Sequence, residues 1–248
     1  MQALISGSAD IAVSTGTAAI LSAYAKGAPI RPIATSMTGA DDLFWYVPSQ
    51  SPIRSLKDAV GKTMAFSAVG SSSNLATIAL IRQAGVDIKA VATGTPAATF
   101  VQVMSGQIDI GWSAPPFAID SLAQGKIRIV ATYSDVPAFR NMTVRMHVAN
   151  LSLLTKNPQL VNRFLSAYAD TLEWMYQGSE AIVEFAKLVG IPQEQAKITR
   201  DKFYPKGNLQ LTRLSGFDDA MRDAITARFI AKPLQKEQID ELFRYYLR

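Results

Sequence analysis

The stretch Gln102-Val103-Met104-Ser105-Gly106-Gln107-Ile108-Asp109-Ile110-Gly111-Trp112-Ser113 repeats, without gaps, the earlier stretch Ala3-Leu4-Ile5-Ser6-Gly7-Ser8-Ala9-Asp10-Ile11-Ala12-Val13-Ser14. Ser6-Gly7 matches Ser105-Gly106, Asp10-Ile11 matches Asp109-Ile110, and Ser14 matches Ser113. Each copy reads as the end of a helix, a glycine stop, and a short buried strand ending in small or polar residues. The period is too long for a solenoid, so the repeat predicts two α/β lobes of related construction. In open α/β sheets ligands sit beyond the carboxyl ends of the strands. Two such ends are then expected at one cleft: Ser14-Thr15-Gly16-Thr17 from one lobe and Trp112-Ser113-Ala114-Pro115 from the other.

Outward from the repeat the chain alternates strand and helix. Strands are predicted at 10–14, 30–36, 43–47, 62–67, 88–92, 108–112 and 127–132. Helices are predicted at 18–26, 56–60, 72–84, 96–105 and 118–123. That alternation predicts a mostly parallel sheet covered by helices. Pro48 and Pro52 break the pattern and suggest a segment crossing between lobes near 47–53, with an extended return near 143–154. The remainder is helical in character, at 158–176, 179–189, 193–203, 216–229 and 236–246.

Composition narrows the function classes. The chain has 248 residues, enough for two modest lobes with a real core. Its net charge of +5 is scattered, with no basic run, which argues against a nucleic-acid partner. With no cysteine, disulfides, thiolate metal sites and cysteine nucleophiles are excluded. One histidine and scattered carboxylates are a poor metal set. No apolar stretch approaches a membrane span, and Met1–Gly7 lacks the basic start and apolar length of a leader peptide.

Three stretches carry a family resemblance. They are Gly61-Lys62-Thr63-Met64-Ala65-Phe66, Gly70-Ser71-Ser72-Ser73-Asn74, and Ile78-Ala79-Leu80-Ile81-Arg82-Gln83-Ala84-Gly85. Together with Met104–Asp109, Trp112, the Pro115-Pro116 pair and Leu4–Val13, they resemble the alkanesulfonate, taurine and thiamine-precursor (formyl-aminopyrimidine) binding proteins of ABC importers. The resemblance covers most of residues 1–132 and is weaker in the helical tail. It implies an α/β, type II periplasmic-binding-protein-like fold: two α/β lobes joined by two crossing segments. The first lobe takes residues 1–48 and 142–248, the second 49–141. The family pattern opens with a leader and a strand–helix–strand ahead of the helix that here begins at Met1. A shortened chain, or an internal methionine taken as the start, is therefore expected, with the first lobe lacking that opening.

The function implied is non-catalytic capture of a small polar or anionic organic ligand (a sulfonate, carboxylate or pyrimidine) by hinge closure, and no cofactor is expected. The partners implied are that ligand and the permease subunits, through which alone the protein meets a membrane. A monomer is expected, periplasmic or lipid-anchored outside the inner membrane. Enzymes share such scaffolds. A menaquinone-pathway lyase stays open as a rival. A thiamine-pyrimidine synthase is disfavoured by the absence of cysteine, and the effector lobes of a transcription regulator would need an upstream DNA-binding segment.

Among candidate ligand contacts, Gly70, Ser71, Ser72 and Ser73 come first. A glycine turn opening a helix presents N–H groups and the positive end of the helix dipole to an anion, and serine hydroxyls add donors. Plain helix capping is the competing role. Ser14, Thr15, Gly16 and Thr17 repeat the pattern before the next helix. Thr38, with Gly39, follows a strand and is placed at the cleft floor; Thr95 and Ser113 are further candidates. Trp112 either stacks on a ligand ring or fills core. Trp45 faces the cleft with Phe44 and Tyr46 turned away, or the reverse. Arg145 either pairs with a ligand anion or forms a surface ion pair. Tyr204 is a rim residue, and His147, with no nucleophile beside it, reads as structural.

Overall fold

The computed structural model describes residues 1–246. The chain opens with α1 (Gln2–Ile5), β1 (Ile11–Gly16), α2 (Thr17–Ala25), β2 (Ile30–Thr38) and β3 (Phe44–Pro48). It continues through β4 (Lys62–Phe66), α3 (Ser72–Ala84), β5 (Ile88–Ala92), α4 (Pro96–Met104), β6 (Gly111–Ser113), α5 (Ile119–Ala123) and β7 (Ile127–Thr132). After β8 (Thr143–Asn150) come α6 (Leu151–Lys156), α7 (Pro158–Met175), α8 (Glu180–Val189), α9 (Gln193–Ile198), α10 (Phe217–Thr226) and α11 (Lys236–Leu242). The extended run expected through Leu154 stops at Asn150, whose side chain accepts from the Leu153 amide at 2.8 Å and caps α6. The helix expected over 193–203 is α-helical to Ile198 and widens into a π turn over Thr199–Phe203.

The chain divides into two compact units. The first holds Met1–Gly39, Asn141–Glu184 and the chain from Lys206 onward; the second holds Ala40–Arg140 and Phe185–Pro205. In the first unit β8 lies between β1 and β2 and runs antiparallel to both. Successive β8 residues alternate faces. Met146 and Val148 pack with Ile20 and Leu21 of α2, Met221 and Ala224 of α10, and Leu242 of α11. On the other face Ala149 joins Ile33 and Ala34 of β2 against Leu153, Leu154, Val161 and Leu165. β2 is buried along its whole length, whereas β1 is an edge strand with its middle exposed.

In the second unit β3 lies between β6 and β7, again antiparallel to both. β4 and β5 are parallel, and a parallel bridge from Met64 to Ile110 brings β4 beside β6. β3 thus stands in the second unit as β8 stands in the first. β3, expected from the sequence in the first lobe up to residue 48, ladders with β6 and β7 in the second compact unit. The sequence reading also left 185–205 in the first lobe's tail, whose last two residues, Leu247 and Arg248, lie outside the described residues. The 185–205 stretch groups with the second unit. There Phe203 meets Phe44 with ring centroids 6.2 Å apart, and the Tyr204 hydroxyl donates to the Pro115 carbonyl at 3.2 Å.

The two copies of the repeat share their helix-end hydrogen bonds. The Ser6 hydroxyl donates to the Ala3 carbonyl and the Ser105 hydroxyl to the Gln102 carbonyl, each at 3.2 Å. The Ala9 amide donates to Ala3 at 3.0 Å, and the Ile108 amide to Gln102 at 3.2 Å. Gly7 and Gly106 both have φ of 76°. Each aspartate then ties its strand to the next element. Asp10 accepts from the Asn150 side chain at 3.1 Å; Asp109 accepts from the Thr63 amide at 2.9 Å and hydroxyl at 2.8 Å.

Gly111 sits where the repeat has Ala12, and the second unit has no room for that methyl. A Cβ there would lie 2.6 Å from Tyr46 Cζ, 2.8 Å from Tyr46 Oη and 2.8 Å from Val103 Cγ2. Tyr46 is fully buried, so its ring has nowhere to swing. Gly111→Ala is expected to lower stability by about 1–3 kcal/mol, read as a shift in the urea midpoint with an unchanged slope.

Candidate functional site

Each unit carries a polar segment at the carboxyl end of a strand that leads into a helix. In the second unit it is Ser67–Gly70, between β4 and α3. Gly70 is buried with φ of 82°, a conformation that strains any residue with a side chain. Its amide donates to Asn74 Oδ1 at 3.1 Å. Ser71 is the N-cap of α3, its hydroxyl accepting from the Asn74 amide at 3.1 Å. The Ser67 hydroxyl donates to Ser71 Oγ at 2.9 Å, and Ser73 Oγ lies 2.9 Å from Ser67 Oγ and 3.0 Å from Ser71 Oγ. Ser73 Oγ also accepts from the Ser67 amide at 3.0 Å.

This changes the expected chemistry. The hydroxyls of Ser71 and Ser73 close on one another and on Ser67, so they shape the turn more than they offer protons outward. The anion-attracting feature is the amino end of a 13-residue helix with no acidic residue in its first turn. Ser72 is half-buried on that turn. Ser67 was missed by the sequence reading. It ends a strand in a sequence rich in serine, and only the fold shows it closing the ring.

Beside this turn the sheet opens. The Ala65 amide donates to the Ile110 carbonyl at 2.8 Å and the Ile110 amide to the Thr63 carbonyl at 3.0 Å, an ordinary parallel ladder. One step on, the Ala65 carbonyl accepts instead from the Trp45 indole at 2.9 Å and the Thr77 hydroxyl at 3.2 Å. The ladder ends there, and the carboxyl ends of β4 and β6 part. Trp45, offered as a cleft residue, is a wholly buried wedge. Trp112 pairs directly opposite Trp45, so both side chains lie on the sheet face against which α3 packs. Trp112 is 8% exposed, and its Nε1 has no hydrogen-bond partner among the described residues. An orphaned buried donor calls for a partner.

Other second-unit candidates are committed elsewhere. Ser113 is fully buried and donates to the Phe117 carbonyl at 3.3 Å. Thr95 is exposed and caps α4, accepting from the Ala98 amide at 3.2 Å.

In the first unit the corresponding polar segment is Ser14-Thr15-Gly16, the last three residues of β1, which lead directly into α2. Gly16 is the N-cap of α2 and supplies no side chain, so that helix end lacks a side-chain cap. Ser14 is exposed, Thr15 half-buried, and Thr17 buried with its hydroxyl donating to the Thr143 carbonyl at 2.8 Å. Thr38 is buried with its hydroxyl 3.5 Å from that of Thr143. The half-buried Arg145 donates to Met37 Sδ at 3.1 Å. Among the described residues, no group of three or more His, Cys, Asp or Glu is placed to hold a metal.

His147 is wholly buried, its Nδ1 accepting from the Ser14 amide at 3.4 Å. Burial pushes its pKa down from 6.5 to about 4. Unfolded, the imidazole binds a proton below about 6.5 that the native state refuses until about 4. Stability from this group is therefore complete above pH 6.5 and is lost as pH falls toward 4. The loss totals roughly 3 kcal/mol. Urea unfolding from pH 7 to 4.5 is expected to show this slope in the wild type and not in His147→Phe.

Residues 1–181 match the family described as NMT1/THI5 like. The chain belongs to the NMT1/THI5-like family. A putative aliphatic sulfonates-binding protein of Escherichia coli strain K12 is 29% identical over 196 residues, covering 77% of this chain. The chain spans only 59% of the length of that curated relative. The crystal structure of the periplasmic aliphatic sulphonate binding protein SsuA from Escherichia coli matches with a TM-score of 0.73 at 25% identity. The match covers 96% of this chain and 77% of that one. The alkanesulfonate-binding protein SsuA from Xanthomonas axonopodis pv. citri, bound to MOPS, gives 0.76 at 19% identity, over 100% of this chain and 80% of that one. This NMT1/THI5-like chain thus has the mixed α/β fold of periplasmic binding proteins, built on small open sheets. Among its described residues no helix is long and apolar enough to cross a membrane.

Proposed function

We propose that this chain is the solute-binding component of an ABC importer, working outside the inner membrane, and that it captures a small organic sulfonate. The observation that carries this reading is the amino end of α3. Gly70 brings the backbone close, no acidic side chain opposes an anion, and the helix dipole favours one. The orphaned Trp112 indole supplies a directional donor on the same sheet face. A sulfonate, with three acceptor oxygens, matches a helix end plus an indole better than a planar pyrimidine does. The sulfonate-binding names of the relatives point the same way. The Ser14–Gly16 turn before the uncapped α2 is the second contact in this proposal, with Thr38 and Arg145 nearby in the first unit's sheet.

Capture proceeds by closure of the two units on the ligand, which shifts the population toward a closed form that the permease reads. The protein acts as a monomer. No bond is made or broken: the one histidine is buried with Nδ1 engaged, so it is not placed as a general base. A structural neighbour titled as the desulfurization enzyme DSZB, at 16% identity and a TM-score of 0.63, shares the fold alone.

Calorimetric titration with taurine and longer alkanesulfonates is expected to give saturable binding at one site, with a melting temperature that rises with ligand concentration. Matched carboxylates and formyl-aminopyrimidine should bind more weakly. Trp112→Phe, which keeps the ring and loses the donor, should weaken binding about two- to tenfold. Gly70→Ala should weaken it further. Sulfonates no better than carboxylates, or conversion of the ligand by the purified protein, would overturn the reading.

A further inference from the structure

The turn in the first unit has an unusual support. Ala12 pairs with Val148 and Thr15 with Met146, so Val13 and Ser14 together oppose the single residue His147. That is a β-bulge. At its second position stands Ser14 with φ of 53°, in the left-handed region where glycine is at ease and serine is not. The Ser14 amide leaves the β8 ladder and donates instead to the imidazole Nδ1 of His147 at 3.4 Å. The Ser14 hydroxyl is hydrogen-bonded to Ser36 of β2, and Ser36 is in turn hydrogen-bonded to Tyr168 of α7. The Tyr168 ring packs edge-on against His147 with centroids 4.4 Å apart, and Phe164 stands edge-on at 6.2 Å. His147 is thus gripped from α7 while it holds the bulge on β1.

We propose that His147 is a positioning residue for ligand capture: its neutral imidazole replaces the missing ladder carbonyl, holds Ser14 in the left-handed conformation, and so aims Ser14-Thr15-Gly16 and the uncapped end of α2 at the ligand. The tautomer follows from the geometry. Nδ1 accepts, so the proton sits on Nε2, which is buried with no partner among the described residues. An orphaned N–H is a cost that a mere space-filler would not carry, since a phenyl ring of similar size would fill the position with no polar atom to bury. The low proton affinity produced by burial keeps Nδ1 an acceptor across the neutral range. The bulge is also the one irregularity in the β1–β8 pairing, and it lies immediately before the turn.

This inference rests on the proposed role of the Ser14–Gly16 turn, and its test separates the two. Amide hydrogen exchange of Ser14 and Thr15 is measured without ligand, and taurine affinity is measured in parallel. His147→Phe keeps the ring and removes the acceptor; Ser14 exchange should quicken and taurine affinity should fall, each about five- to tenfold. His147→Asn, whose Oδ1 stands near the place of Nδ1, should retain most of the protection. The deciding variant is the double substitution His147→Phe with Ser14→Gly. Glycine takes the positive φ unaided, so affinity should rise at least about threefold above that of His147→Phe alone, while staying below wild type because the Ser14 hydroxyl is lost. A purely structural histidine predicts lost melting temperature with no recovery from Ser14→Gly, and that result would overturn the proposal, as would unchanged Ser14 exchange in both single variants. If wild type binds no sulfonate, the function reading falls, and the positioning of Ser14 is still decided by exchange alone.

Discussion

The Ala65 carbonyl is the point on which the second unit's shape turns. A parallel ladder should continue through it to β6. It is claimed instead by the Trp45 indole and the Thr77 hydroxyl, both buried. A buried carbonyl must be paired, and here it is paired twice without a strand neighbour. The β4–β6 ladder therefore stops at this point while the Ala65 carbonyl stays satisfied by side chains. Everything that makes the α3 end a candidate site follows from that exchange, because a closed ladder would bring Trp112 against β4 and leave no approach to the helix end.

The repeat is where the sequence was most legible. Ser-Gly and Asp-Ile recur in the same spacing because the same turn recurs, with the serine hydroxyl and the closing amide bonded to the same positions in both copies. Strand order was far less legible. The run Phe44-Trp45-Tyr46-Val47 is apolar at every position, so its composition says that it is central and cannot say which sheet it enters. The same uniformity hid the direction of Trp45. Its role depends on which carbonyl lies across the sheet, and that partner is twenty residues away.

The polar sites show a similar division. Gly70 and the serines after it were legible because glycine followed by hydroxyl residues before a helix has a narrow set of meanings. That the hydroxyls would satisfy each other, through Ser67, depends on how tightly the turn closes. The bulge at Ser14 left no mark at all. Bulges announce themselves in sequence when glycine fills the left-handed position; a serine there, held by a histidine far along the chain, looks like any strand residue.

The insertion of β8 between β1 and β2 also bears on how the chain is made. β1 and β2 precede the second unit in the sequence, yet among the described residues each has its ladder with a strand that begins at Thr143. The strands of the second unit, from Phe44 to Thr132, are complete before then. Contacts so distant in sequence close slowly, and domains tend to fold as they emerge. Closing the first unit's sheet thus depends on a strand more than a hundred residues further along the chain, and β1 and β2 stay without that ladder until β8 arrives.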